Sequence, residues 1–306
     1  MEINLLDSFE ALFSPSKRIY WQYIVSSLFI ALIYLLIHKK EMRLNLSHKL
    51  WLHKSALLDY KYFIVSFFIK TILIVPIVIS AHEITMYVYE LLTDYYGYMK
   101  IQGFSYGEVM VMFTLSLFVV SDLSRYWIHR LLHTIPFLWE FHKVHHSAKV
   151  LTPATFYRVH PVENLLFGFR YALSIGVVSG VFIYMFGAMI GVYEILGTNI
   201  LLYIFSLLGS NLRHSHIKIS YPKVMENIFI SPFQHQLHHS TKYYNKNYGG
   251  YLSVWDNIFG TLQISKHILQ SKEKIRFGVE VKDFQTLSNL LFIPFKKLYI
   301  KARSSK

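Results

Sequence analysis

The 306-residue sequence has no cysteine. That absence excludes disulfides, thiolate zinc sites, iron–sulfur clusters and haem–thiolate chemistry, so any metal must sit on His, Asp or Glu. Charge is also scarce. Only 16% of residues are charged, against about a quarter in a typical soluble domain. There is no low-complexity segment and no Pro/Gly/Ser-rich linker, and no GxGxxG dinucleotide turn, flavin site or haem-binding module. The N-terminal MEINLLDSFEALFSPSKR is acidic before it is basic and lacks a small-residue cleavage site, so the first apolar segment is expected to stay in the mature chain.

What is present is apolar. The chain is 53% hydrophobic and 17% aromatic, with mean hydropathy +0.33, and its apolar residues are blocked into long runs. The formal charge of +13 suits anionic lipid head groups, because the basic residues form neither a recognition helix nor an aromatic-interleaved groove for nucleic acid. Ile19 to Ile37 reads as a first span, and Tyr62 to Ser80 as a second, interrupted by Lys70 and kinked by Pro76. Glu108 to Val120 is short but runs on into Asp122 and Arg125, so one helix is expected to leave the bilayer and continue beyond it. Tyr171 to Gly187 and Val192 to Gly209 read as a helical hairpin.

Residues 38 to 61 carry six Lys/Arg against two acids, whereas 81 to 107 carry one Lys against Glu83, Glu90 and Asp94. By the positive-inside rule the first loop is cytoplasmic, which places the N-terminus outside and both histidine-rich stretches, 121 to 164 and 211 onward, inside. The expected fold is therefore all-α: a multi-pass helical membrane protein of about four or five spans under a cytoplasmic, histidine-rich helical cap. Its parts divide as N-terminal membrane helices and loops at 1 to 107, a histidine-rich region at 108 to 265, and a basic tail at 266 to 306. Phe292, Phe295 and Leu298 mixed with Lys296, Lys297, Lys301 and Arg303 give that tail the pattern of a membrane-surface segment, or of a solvated tail packed on the cap.

Eleven of sixteen histidines fall between His129 and His239, and eight of these form three blocks: HRLLH at 129 to 133, HKVHH at 142 to 146, and HQLHH at 235 to 239. On a helix, positions i, i+3 and i+4 share a face, so each block converges two or three imidazoles on a point. His129, His133, His142, His145, His146, His235, His238 and His239 exceed what one tetrahedral or octahedral ion accepts, which implies more than one metal. His214 is the expected ninth ligand, and His216 a competing one. His160, three residues before Glu163, reads as a supporting residue. Asp122, Glu140, Glu163 and Asp256 are the carboxylates near enough to hold the second ring nitrogens. Isolated histidines such as His38, His48, His53, His82 and His267 read as structural.

These residues resemble the membrane-bound sterol desaturase and fatty acid hydroxylase superfamily, with its HxxxH, HxxHH, HxxHH pattern. The likeness covers DLSRYWIHRLLHTIPFLWEFHKVHHS at 122 to 147, RVHPVE at 158 to 163, SNLRHSHI at 210 to 217, and SPFQHQLHH followed by NYGG at 247 to 250 and WDNIFGT at 255 to 261. These stretches bring Asn211 and Asn247 into the candidate site. Where many relatives read HSN, this chain reads His214, Ser215, His216. The resemblance implies a dimetal centre on all-nitrogen ligands, usually regarded as two iron ions, that uses O2 to hydroxylate or desaturate a lipid C–H bond. The absence of a cofactor module implies an external donor, a ferredoxin or cytochrome with its reductase, and a basic surface suits an acidic one. Competing readings are a zinc-dependent membrane hydrolase, weakened by the lack of an HExxH glutamate, and a non-catalytic metal-binding membrane protein.

Overall fold

The computed structural model describes residues 12–74, 80–187, 190–191, 194–195, 198–271 and 274–304. Among these the fold is all-α, apart from a two-residue antiparallel pairing of Glu194–Ile195 with Thr198–Asn199. The principal helices are α1 (Trp21–Ile37), α2 (Lys54–Ile69), α3 (Ala81–Tyr96), α4 (Tyr106–Thr134), α5 (Pro136–His146), α6 (Pro161–Phe186), α7 (Ile200–Leu207), α8 (Pro232–His238) and α9 (Leu287–Ser304).

Among the described residues two helices, α4 and α6, are long and apolar enough to cross a membrane. At 1.5 Å per residue α4 is about 43 Å long, more than the ~30 Å of a hydrocarbon core. Its last turns carry His129 and His133. Its start is fixed by a capping box, in which Ser105 Oγ accepts from Glu108 N and Glu108 accepts from Ser105 N. Pro161 at the first position of α6 serves the same end, since its missing N–H would have no helical partner there.

Several expectations change on the structure. Residues 81 to 107, read as a polar loop, contain the 16-residue α3, started by a Ser80–Glu83 capping box that a charge count cannot register. Helix α3 packs closely on α6. A Cβ at Gly180 would lie 2.7 Å from Val88 Cβ and 2.8 Å from the Thr85 carbonyl oxygen. Gly180→Ala is therefore expected to destabilise the fold by about 1–3 kcal/mol through overpacking, even though alanine favours a helix by ~1 kcal/mol. A lowered melting temperature in detergent checks this.

Val192 to Gly209 is not one helix. The Asn199 side chain accepts from Leu201 N and starts α7, which is only eight residues long. It packs on α1 through Tyr203 and Tyr23 rather than forming a hairpin with α6. The second apolar run is α2, followed by a π-helical turn at Lys70–Ile74; Pro76 lies outside the described residues.

The first apolar run, α1, does not carry the chain away from the histidines. At its start, Asn211 Nδ2 donates to the Arg18 carbonyl at 3.2 Å, and towards its end Leu35 packs on Leu212 and Ile217. The residues flanking the start of α1 and those near its end thus both adjoin the segment bearing His214. Most of the large apolar side chains of α1, Leu28, Phe29 and Leu32 among them, remain exposed.

The tail helix α9 packs on α5 and α2. Leu290 joins Leu58, Tyr62, Val144 and Phe284 in a buried cluster, and Phe295 stacks edge-on against Phe141.

Candidate metal centre

Nine imidazoles meet at the end of α4. They form two groups, within each of which one ring nitrogen per residue lies within 4.8 Å of the others: His129, His133, His142, His146 and His238, and His145, His214, His235 and His239. These are the nine histidines singled out from the sequence. The division follows from helical geometry. His129 and His133, His142 and His146, and His235 and His239 are i, i+4 pairs, each pointing one way, while His145 and His238 sit about 100° around their helices and supply the opposite group. Each HxxHH block therefore serves both groups.

Within the groups the rings close to Nε2–Nε2 distances of 3.2 Å for His142 and His146, 3.3 Å for His145 and His214, 3.2 Å for His214 and His235, and 3.3 Å for His235 and His239. Neutral imidazoles gain little from one another at such separations, because one N–H at most can be shared by each pair. Both nitrogens of His133 and Nε2 of His238 are buried without any hydrogen-bond partner. Lone pairs aimed at a common point, in a set free of competing donors, fit a metal cation.

Burial keeps the rings neutral. It pushes His142 down to about 3 and His145 to about 4, and holds His146, His214, His235, His238 and His239 well below the usual 6.5, with neighbouring imidazoles adding to the effect. An unfolded chain therefore binds more protons than the folded one between about pH 6.5 and 4. The stability of the metal-free protein should be greatest above pH 6.5 and decline as pH falls through that window, seen as a falling melting temperature.

The other ring nitrogens are held from outside. His142 Nδ1 lies 3.0 Å from Glu163 Oε2, in the first turn of α6. His129 Nδ1 is 2.8 Å from the Tyr248 carbonyl, and His238 Nδ1 is 2.8 Å from the Lys246 carbonyl. Each contact leaves Nε2 for the centre. Glu163→Gln should weaken metal retention by about 10–100-fold in a chelator titration while leaving the fold intact.

Two carboxylates act through the backbone instead of touching a ring. Asp122 accepts from Tyr251 N at 2.9 Å, Leu252 N at 3.0 Å and Trp255 Nε1 at 3.0 Å. Asp256 accepts from Tyr248 N and Gly249 N, both at 2.8 Å, and from Thr261 Oγ1 at 2.6 Å. Together they anchor the loop that presents the Tyr248 carbonyl to His129. A Cβ on Gly250 would come within 2.7 Å of Asp122 Oδ1 and Arg125 Cδ, which explains a glycine there. Asn247, at φ 57°, donates to the carbonyls of Gln234 and Gln263 and accepts from Gln263 N, fastening the same loop to α8.

The remaining candidates lie away from the rings' convergence. His216 Nε2 accepts from Leu151 N at 3.2 Å, while His214 is in the four-membered group. His160 caps α6, with Nδ1 accepting from Val162 N and Nε2 3.0 Å from the Leu291 carbonyl. Asn211 binds the Arg18 carbonyl. Glu140, expected to serve a histidine, is turned towards Lys143 and Lys301, since a buried carboxylate on the opposite side of α5 needs a cation more than a ring does.

Sequence reasoning missed Arg158 and Asp59. Arg158 is fully buried, bonds Asp59 Oδ1 at 2.9 Å, and donates to the Val144 carbonyl, Ser147 Oγ and the Phe284 carbonyl. It thereby locks the end of α5, where His145 and His146 stand, to α2. The available signal was one acid inside the apolar stretch LLDYKYFIV, a residue that must find a buried cation.

Comparison with known proteins agrees with this segment. Residues 114–261 match the family model for fatty acid hydroxylase. The chain is 29% identical over 169 residues to an alkylglycerol monooxygenase of Homo sapiens, covering 54% of this chain and 32% of that protein. It is 29% identical over 145 residues to an ornithine lipid hydroxylase of Rhizobium tropici, covering 47% and 39%. It is 26% identical over 186 residues to a lathosterol oxidase of Rattus norvegicus, covering 60% and 56%. The chain thus spans about a third to just over half the length of these relatives. No solved structure gives a significant match. The likeness to the sterol desaturase and fatty acid hydroxylase superfamily stands on the histidine motifs and on the whole segment around them.

Proposed function

We propose that this protein is a membrane-embedded oxidoreductase that hydroxylates or desaturates a lipid C–H bond, using two iron ions, O2 and electrons from an external ferredoxin or cytochrome. The observation that carries the reading is the gathering of nine imidazoles from α4, α5, the turn Ser210–His214 and the α8 block into groups of five and four. The names of the relatives, a lipid monooxygenase, a lipid hydroxylase and a sterol oxidase, support a lipid substrate. Five nitrogens in one group exceed a closed tetrahedral zinc site, which favours iron over a zinc hydrolase.

The two groups would hold one ion each, with His129, His133, His142, His146 and His238 on the first and His145, His214, His235 and His239 on the second. Bound iron supplies the O2 activation that an unactivated C–H bond requires. The protein's own part is to keep the rings unprotonated by burial, to aim them, and to exclude water. Glu163 and the carbonyls of Tyr248 and Lys246 do the aiming. Trp139, stacked on Tyr244 and edging His133, and Phe156, edging His214, wall the centre.

The basic segment 38 to 61 leads into α2, whose Ser55 and Asp59 bind Arg158, so it lies on the histidine side of the molecule. That placement supports a cytoplasmic site under the positive-inside rule. Metal analysis of anaerobically purified protein, with O2 uptake on adding reductant and lipid, tests the proposal. Two irons per chain with lipid-dependent uptake is the expected result; zinc without uptake would overturn it.

A further inference from the structure

Four arginines meet just below the histidines, around Tyr251. The guanidinium carbons of Arg125 and Arg213 lie 5.7 and 5.5 Å from its ring centroid. Arg170 reaches the same region from α6, donating to the Ser121 carbonyl, Ser121 Oγ and Ser124 Oγ, and Arg18 stands over the Phe156 ring at 4.2 Å. Each of the four is within electrostatic range of at least one other.

Their hydrogen-bonding capacity is largely unused. A guanidinium carries five N–H donors. Among the described residues Arg213 donates only to the Gly250 carbonyl, Nε of Arg170 is buried without a partner, and the guanidinium groups of Arg18 and Arg125 make neither a hydrogen bond nor an ion pair. Among the described residues two carboxylates lie in range of the cluster: Asp122, whose oxygens already accept three N–H groups, and Glu163, which faces the His142 ring. Four cations against two committed carboxylates, with Arg213 buried and the other three half-buried, call for a further negative charge.

The position says which anion. Arg125 is one turn before His129 on α4, and Arg170 is seven residues along α6 from Glu163, so the cluster lies between the histidines and the apolar lengths of the two helices suited to lipid. One phenylalanine ring, Phe156, separates Arg18 from His214. Planar guanidinium forks match phosphate and carboxylate oxygens.

We infer that Arg18, Arg125, Arg170 and Arg213 form the binding site for the anionic head group, phosphate or carboxylate, of the lipid that the histidine centre oxidises. This rests on the oxidoreductase reading. It restricts the substrate to acidic lipids and places the oxidised carbon near the head-group end of the chain rather than at its distal tail.

Full-length protein in neutral detergent would be titrated, with and without iron, with four probes: a long-chain phosphatidic acid, a long-chain fatty acid, a neutral monoacylglycerol and inorganic phosphate, with bound probe read by native mass spectrometry. One of the acidic amphiphiles should bind at least about tenfold more tightly than the neutral one, and Arg125→Gln and Arg18→Gln should each lower that affinity about tenfold, the size of one charge-assisted contact. The better acidic probe identifies the head group. Melting temperature and iron content should not change in either variant, which separates lost binding from lost folding. Equal binding of acidic and neutral amphiphiles, acidic binding indifferent to both substitutions, or phosphate alone binding as tightly as the amphiphiles would overturn the inference. Loss of selectivity in protein that holds two irons defeats only this inference, whereas selectivity in protein that takes up no iron when iron is supplied defeats the oxidoreductase reading.

Discussion

His145→Ala is expected to abolish the oxidised lipid product and to lower iron from two ions towards one per chain. His145 belongs to the smaller group, where three rings would remain. Loss of a ligand's outer partner already costs about 10–100-fold in affinity or activity, so loss of the ligand itself should exceed about 100-fold. His216→Ala is the matched control. It removes the acceptor for Leu151 N, at a cost of about 1–3 kcal/mol, together with a ring contact to Phe277, and should keep both ions. Metal content and host lipid profiles, measured on the two variants side by side, check the contrast; equal iron loss in both would contradict the proposed division.

Arg158→Ala should cost about 3–5 kcal/mol, enough to unfold much of a marginally stable protein. The change leaves Asp59 buried without its cation and strips donors from the Val144 and Phe284 carbonyls. The isolated carboxylate is the larger part of that penalty. Replacing both partners with apolar side chains, as in Asp59→Leu with Arg158→Met, should recover part of the loss. Thermal denaturation of the single and double variants decides it, and a double variant no more stable than the single one would point to the carbonyl contacts instead.

The site was more legible than the fold around it, and the reason is range. Histidines at i and i+4 on one helix share a face whatever the rest of the chain does, so HRLLH, HKVHH and HQLHH announce converging rings locally. Which ring joins which group depends on how α5 and α8 face one another, and that is tertiary. The same distinction explains the roles of the carboxylates. Asp122 and Asp256 were singled out as partners for imidazole nitrogens, yet they bind backbone N–H groups of residues 248 to 252, a loop conformation set by Gly250 and Asn247. Apolar runs are the weakest guide: α4 and α6 have the length to span lipid, whereas the run at 192 to 209 yields only the eight-residue α7, which packs on α1 through Tyr203.

Because α5 and α8 each give rings to both groups, neither position can be completed before the other begins to form. His142 and His146 settle the direction of His145, and His235 and His239 settle that of His238. Filling one position therefore prepares its neighbour, and anaerobic titration with ferrous iron should show sigmoidal uptake, with the singly loaded species scarce at every stage.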